Sequence, residues 1–110
     1  MTTRVTKPSR LREAALLDID DMLDHYFAQA PQAPQMVHKL EVAILEARQH
    51  IEKFPGTGSP RYESSKSDEV LRFWLLKRFP YAMFYFERTG YIDIVRLIHQ
   101  AADIPTHIQP

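Results

Sequence analysis

Hydrophobic side chains recur in two different ways along this chain, first every three or four residues and later in short continuous runs. The earlier spacing is typical of an amphipathic helix, because residues three and four positions apart lie on one helix face. In the first such segment, which should end near Ala28, the spaced apolar residues are Leu16, Ile19, Leu23 and Tyr26. Four aspartates lie off this stripe or at its edge, namely Asp18, Asp20, Asp21 and Asp24. The pattern predicts one amphipathic helix.

A second helical segment follows a break that contains Pro31 and Pro34. Pro34 is predicted to occupy the first turn of this helix, where the missing proline N–H would have no intrahelical partner in any case. The three-four spacing of apolar residues is clearest here, at Val37, Leu40, Ile44, Ala47, Ile51 and Phe54. Two helices joined by a short turn, each with one apolar stripe, should form an antiparallel hairpin that covers one face of a sheet.

The last third of the chain, from Val70 to Pro105, contains three runs of β-branched, aromatic and aliphatic residues. Two short connectors separate the runs, one containing Pro80 and the other Gly90, so the stretch predicts a three-stranded antiparallel meander.

Two further segments complete the predicted order of elements. A β-prone piece from Thr3 to Thr6 predicts a first strand, with Thr6 or Ser9 as the N-cap of the first helix. The segment from Pro55 to Ser67 is rich in glycine, proline and serine, and it is predicted to be a loop. The predicted fold class is therefore α+β, in the order β-α-α-β-β-β, with the helical hairpin packed on a small antiparallel sheet.

Composition limits the size and the surroundings of this fold. The chain has 110 residues, 45% of them apolar, which suits a single domain over residues 1–110. Its 14 acidic and 14 basic side chains cancel, which counts against direct, sequence-specific binding of nucleic acid. It has no cysteine, no signal-like amino terminus and no apolar segment near the ~20 residues that span a bilayer, so a cytoplasmic protein is expected, without membrane contact.

The meander also carries a family signature. Its elements are Arg72 in the first strand, then Phe79, Pro80 and Tyr81, then Val95 to His99, and finally Asp103. Together they resemble the ParE toxins of the ParE/RelE superfamily, and the resemblance extends from Arg4 to Ile108. It implies a twisted antiparallel sheet packed on a helical hairpin, with a groove that the cognate antitoxin fills.

The resemblance also implies a function. A ParE-like toxin of a type II toxin–antitoxin module would inhibit DNA gyrase by binding, and a small antitoxin with a ribbon-helix-helix DNA-binding end would neutralise it in a hetero-oligomer. Two alternatives remain open. One is a ribosome-dependent messenger RNA endoribonuclease of the RelE type, and the other is a non-toxic binding relative.

Both sides of the first meander strand are largely apolar. By alternation Leu71, Phe73 and Leu75 share one side of this strand, and Arg72, Trp74 and Leu76 share the other. The second side predicts a docking surface for an apolar partner segment. The residues assigned to antitoxin binding are Arg72, Trp74, Leu76, Met83 and Tyr85. The other interpretation is that the loop from Pro55 to Ser67 and the carboxyl tail cover this side.

A nuclease would need phosphate-binding cations and a group for proton transfer. The candidates are Arg72, Arg78, Tyr85, Arg96 and His99. Arg96 and His99 are three positions apart on one strand and so point to opposite faces unless a bulge intervenes. Arg96 is therefore interpreted as the partner of a helix carboxylate, and His99 as a strand-end histidine bonded to backbone.

Metal and cofactor sites are not predicted. The five histidines lack ligand spacing and have no cysteines beside them, at His25, His38, His50, His99 and His107. The glycines of Gly56-Thr57-Gly58 match neither a P-loop nor a dinucleotide fingerprint.

Overall fold

The computed structural model describes residues 6–29, 31–63 and 70–102. The strands are β1 (Ser9–Leu11), β2 (Ser59–Glu63), β3 (Val70–Leu75), β4 (Tyr81–Glu87) and β5 (Ile92–His99). The helices are α1 (Glu13–Ala28) and α2 (Met36–Lys53), and a single 3-10 turn spans Pro55–Thr57. Asp103, His107 and the rest of the carboxyl tail lie outside the described residues.

The five strands form one mixed sheet in the order β1-β5-β4-β3-β2. β3, β4 and β5 are antiparallel neighbours, which confirms the predicted meander. β1 lies parallel to β5, with Ser9 paired to Ile92 and Leu11 to Ile94, so the prediction of a wholly antiparallel sheet is wrong at this edge. Parallel strands need a long crossover, and here the helices and the other strands supply it.

The segment from Pro55 to Ser67 is not a simple loop, contrary to the sequence prediction. It holds the 3-10 turn and then β2, which pairs antiparallel with β3. The pairing shifts register between Pro60 and Tyr62. Glycine and proline make this segment resemble a turn, but an edge strand tolerates a proline because one side of it has no ladder to complete. Residues 64–67 lie outside the described residues.

The first strand begins later than predicted. Thr6 precedes it, β1 starts at Ser9, and the other residues of the predicted strand lie outside the described part of the chain.

Neither Thr6 nor Ser9 caps α1. The N-cap residue is Arg12, whose backbone N–H donates to the carbonyl of Ile94 at 3.0 Å. The Ser9 hydroxyl instead donates to Glu52 Oε2 on α2 at 2.6 Å, so it ties β1 to the helix layer.

α1 ends where the sequence predicts, but its buried face is rotated from the predicted stripe. Ala15 and Met22 are buried, whereas Leu16 is 48% exposed. The other members of the predicted stripe are only partly buried, namely Ile19, Leu23 and Tyr26. The rotation brings Asp18 to the sheet, where its carboxylate accepts the N–H of Leu97 at 3.0 Å. Hydrophobic spacing alone gives no sign that an aspartate will face the sheet.

α2 follows the predicted stripe closely. The four central positions of that stripe are buried, namely Leu40, Ile44, Ala47 and Ile51. Val37 is half-buried and Phe54, just after the helix, is exposed. Pro34 precedes the helix and does not lie in its first turn, because the N-cap residue is Gln35. Among the described residues, neither helix has the length and apolar character needed to cross a membrane.

Apolar side chains cover both faces of the sheet, as the sequence predicts. The face under the helices contributes to one core with α1 and α2, through Leu76, Met83, Tyr85, Ile92, Ile94 and Leu97. The opposite face carries a second cluster, formed by Leu71, Ala82, Phe84, Phe86, Val95 and Ile98. This arrangement decides which surfaces remain open to a partner.

Candidate partner-binding groove

A groove runs beside α2, between this helix and the end of β3. It has two sections of about 200 and 450 Å³, which share Ala43, Glu46 and Lys77. The smaller section is further lined by His38, Lys39, Val42, Arg78 and Phe79. The larger section is further lined by Ala47, His50, Trp74, Leu75 and Leu76. We call this feature the α2 groove.

Trp74 forms one wall of the larger section. Its ring stacks on His50, with centroids 4.0 Å apart and planes inclined by 14°. His50 Nε2 lies 3.0 Å from the Thr57 hydroxyl oxygen, and that hydroxyl donates to the carbonyl of Phe54 at 2.8 Å. Because the hydroxyl proton is already used, His50 Nε2–H is the donor to Thr57. The Trp74 wall is therefore held from α2 as well as from β3.

The residues that the sequence assigns to antitoxin binding do not form one open patch. Met83 and Tyr85 are 0% exposed, and Leu76 is buried with them in the core under the helices. The expectation of an exposed apolar surface centred on these side chains is therefore wrong, because the helices cover the face that carries them. Trp74 and Leu76 do line the α2 groove, so a part for them in binding stays a prediction. Alternation shows which residues share a face, but not which of two apolar faces the helices cover.

Arg72 and Tyr85 are cross-strand neighbours that hold the turn after α2. The Tyr85 hydroxyl donates to the carbonyl of Pro55 at 2.6 Å and accepts the N–H of Gly58 at 3.1 Å. Arg72 Nη1 donates to the carbonyl of Gly58 at 2.9 Å. Burial raises the pKa of Tyr85, although the Gly58 N–H and the charge of Arg72 act in the opposite direction. These contacts give both side chains a structural role.

Arg96 forms an ion pair with Asp18 of α1, which confirms the interpretation that it pairs with a helix carboxylate. Its Nε and Nη2 atoms donate to the two carboxylate oxygens at 2.7 and 2.9 Å. Chiefly through these hydrogen bonds the pKa of Arg96 is raised, with burial acting against the rise. A bulge at Val95 immediately precedes Arg96 in β5. The Arg96 guanidinium is therefore occupied by the fold.

His99 and Arg78 lie near the turn end of the meander. His99 is exposed, and its Nδ1 accepts the N–H of Ala101 at 3.0 Å, which confirms the interpretation of a strand-end histidine bonded to backbone. Arg78 is exposed in the β3–β4 turn and lines the α2 groove. Of the five residues considered for a nuclease, Arg72 and Tyr85 are neighbours, but Arg78, Arg96 and His99 have other surroundings, so the five do not form one cluster.

Asp93 is a buried carboxylate that hydrophobic spacing does not single out. It is 7% exposed within β5, and it accepts hydrogen bonds from Arg12 Nη2 at 2.7 Å and Arg88 Nη2 at 2.9 Å. Burial acts to raise its pKa, but hydrogen bonds and charges from the two arginines outweigh burial and lower it. In the sequence, the only sign of this buried carboxylate is a single aspartate within an apolar strand.

The described residues contain no group of three or more side chains able to hold a metal ion.

A second groove, of about 290 Å³, lies on the sheet face opposite the helices. It is lined by Phe73, Leu75, Ala82, Phe84, Ile98, His99 and Gln100. Among the described residues that line it there is no lysine, arginine or carboxylate. This second groove offers apolar contact without permanent charge, whereas the α2 groove combines apolar contact with charged side chains.

Comparison with known proteins identifies a family and a shared fold. The family model described as ParE toxin of type II toxin-antitoxin system, parDE, matches residues 10–104. The solved structure described as the chromosomal ParDE TA system from P. aeruginosa matches with a TM-score of 0.66 and 20% sequence identity. The match covers 88% of this chain and 98% of that chain, and at this identity it concerns the fold. No curated protein matches the chain by sequence.

Proposed function

Since this chain belongs to the ParE toxin family of type II toxin–antitoxin systems, we propose that it acts in the cytoplasm by binding a target protein, without chemistry of its own. The proposed target is DNA gyrase, as the resemblance to ParE toxins implies. A small antitoxin with a ribbon-helix-helix end is proposed to neutralise the toxin in a hetero-oligomeric complex.

Structural contacts made by the candidate catalytic residues support binding over catalysis. Arg72 and Tyr85 hold the turn at Gly58, and Arg96 is paired with Asp18. A cation or proton-transfer group must be able to reach the substrate in order to act on it. With these three side chains occupied, Arg78 and His99 are left without the cluster that RNA cleavage requires.

The proposal is tested by adding the purified chain to a gyrase supercoiling assay and, separately, to translating ribosomes. We expect supercoiling to fall and messenger RNA to remain intact. The control is Ile44→Asp, which places a carboxylate in the buried stripe of α2 and should unfold the chain. Messenger cleavage with supercoiling untouched would instead support the RelE-type endoribonuclease. No effect in either assay would favour the non-toxic binding relative.

We place the antitoxin in the α2 groove. Ala43 and Ala47, one turn apart on α2, line this groove with small side chains. Trp74 forms its half-buried aromatic wall. A groove with an apolar floor and one aromatic wall suits an amphipathic partner segment. Trp74 would then be the aromatic anchor that typically dominates binding energy at such a site.

The chain has one tryptophan, so its emission reports on this groove directly. Binding of the protein encoded beside this chain should quench or shift that emission, and Trp74→Ala should weaken the complex by about 1–2 kcal/mol. The control is Leu17→Ala, which removes an apolar side chain that is 57% exposed on α1. Tight binding with unchanged emission and a normal Trp74→Ala affinity would move the antitoxin to the second groove.

A further inference from the structure

The smaller section of the α2 groove is basic. His38 and Lys39 come from α2, Lys77 and Arg78 come from the β3–β4 turn, and all four line this section. Glu46 is the only acidic side chain among its described lining residues. At neutral pH the section therefore presents three permanent cations and one carboxylate. We call it the basic end of the α2 groove.

These three cations are not neutralised by the described part of the chain. Lys39, Lys77 and Arg78 form no ion pair or side-chain hydrogen bond within residues 6–29, 31–63 and 70–102. By contrast, Lys7 pairs with Glu87 at 2.7 Å. Cations gathered without a partner repel one another, and an anionic ligand relieves that repulsion.

The backbone of Arg78 adds a second observation. Its φ of 71° lies in the left-handed region, which disfavours residues with a Cβ atom and usually holds glycine. The turn itself is well anchored, because the Leu76 N–H donates to the carbonyl of Tyr81 at 2.9 Å and the Phe79 side chain is buried. Strain of this kind persists at sites where a side chain serves a function. Here the strained residue supplies one of the three cations.

The floor of the basic end is apolar. Val42, Ala43 and Phe79 line it beneath the charged side chains. A nucleic acid backbone is bound mainly through contacts of many cations with phosphates, whereas the chain as a whole carries no net charge. The chemistry suits a polypeptide that combines carboxylates with an apolar side chain.

We infer that the basic end of the α2 groove binds an acidic segment of the antitoxin. In this arrangement an apolar side chain of the segment lies against Phe79 while neighbouring carboxylates pair with Lys39, Lys77 and Arg78. The inference rests on the proposed function for the identity of the partner, and it adds the chemistry of the bound segment. Charge pairs at an exposed rim speed association and are screened by salt, so binding should weaken as salt is raised.

The first test uses labelled synthetic peptides that alternate glutamate with leucine, and fluorescence anisotropy with the full chain. Peptides of equal length that alternate glutamine or lysine with leucine are the controls, together with a labelled DNA oligonucleotide. The glutamate peptide should bind best, and a Lys77→Gln, Arg78→Gly double variant should bind it about tenfold more weakly. Lys53→Gln removes a cation of α2 outside the groove and should leave binding unchanged. Failure of the glutamate peptide to bind, equal binding of all three peptides, or preference for a DNA oligonucleotide would overturn the inference.

The second test separates this inference from the proposed function. The double variant and the Lys53→Gln variant are each mixed with the protein encoded beside this chain, and gyrase supercoiling is measured in parallel. Weaker antitoxin binding by the double variant alone supports the inference. Normal antitoxin binding by the double variant overturns the inference and leaves the proposed function intact. Failure of the unmodified chain to inhibit gyrase would contradict the proposed function, whichever peptide binds best.

Discussion

Asp18 on α1 and Arg96 on β5 form a bidentate ion pair with N···O distances of 2.7 and 2.9 Å. The same carboxylate accepts the N–H of Leu97 at 3.0 Å. β1 pairs with β5 only as far as Ile94, so Leu97 lies beyond the last residue of β5 that β1 covers. An unpaired donor at such a position would need water or a side chain as acceptor. Asp18 supplies this acceptor and joins α1 to the sheet.

Removal of this carboxylate should destabilise the fold. We expect Asp18→Ala to lower the free energy of unfolding by about 2 kcal/mol, because it leaves a backbone donor and a guanidinium without their acceptor. Arg96→Ala should lower it by about 1 kcal/mol, since this side chain is partly exposed. Urea unfolding measures both changes. Asp20→Ala, an exposed position of α1, is the control, and an equal effect at both aspartates would contradict the role of Asp18.

The Asp93 cluster makes stability depend on pH. The pKa of Asp93 is lowered in the fold, so its stabilising effect is complete above the ordinary value of 3.8 and is lost as the pH falls below 3.8 through the folded-state pKa. We expect Asp93→Asn to cost about 2 kcal/mol at neutral pH, and the difference from the unmodified chain to shrink in acid. Urea unfolding over a pH series measures this. A difference independent of pH would show that the charge of Asp93 is not responsible.

Gly58 and Gly56 should respond very differently to the same substitution. A Cβ atom at Gly58 would overlap the Tyr85 hydroxyl and lie 2.8 Å from the Tyr85 ring carbon Cζ, whereas one at Gly56 meets nothing within 4 Å. Because Tyr85 is buried and cannot move aside freely, Gly58→Ala should destabilise the chain by about 2 kcal/mol. Gly56→Ala should have little effect. Thermal melting of both variants decides the matter, and equal melting temperatures would argue against the Tyr85 anchor.

The left-handed backbone of Arg78 predicts that two neutral substitutions will differ in stability. Both Arg78→Ala and Arg78→Gly remove the guanidinium, but only glycine adopts a φ of 71° without steric strain. The glycine variant should therefore be more stable than the alanine variant by about 1 kcal/mol in urea unfolding. If alanine were the more stable of the two, the turn would have to adopt another conformation.

The helix prediction that the structure confirms best rests on a regular three-four spacing of apolar residues. The stripe of α2 is correct at Leu40, Ile44, Ala47 and Ile51, all of which are buried. On α1 the stripe is rotated, because a polar contact of Asp18 with the sheet decides the orientation. β2 escaped prediction because an edge strand with a proline resembles a loop in sequence.

The groove could not be predicted, because it joins segments that are distant in the chain. Lys39 and Arg78 meet only when α2 packs beside the β3–β4 turn, and no local pattern encodes that meeting. The burial of Leu76, Met83 and Tyr85 was missed for a related reason. Both faces of β3 are apolar, so alternation alone could not show that the helices cover the side with Met83 and Tyr85.

The parallel pairing of β1 with β5 has a consequence for how the chain acquires its structure. Arg12, next to β1, and its partner Asp93 are 81 positions apart. During synthesis β1 leaves the ribosome first and has no neighbour in the sheet until β5 is also free. Contacts of such long range close late, because the chain loses entropy before they form. Folding should therefore finish after β5 has been released, with β4 and β5 paired before β1 joins them.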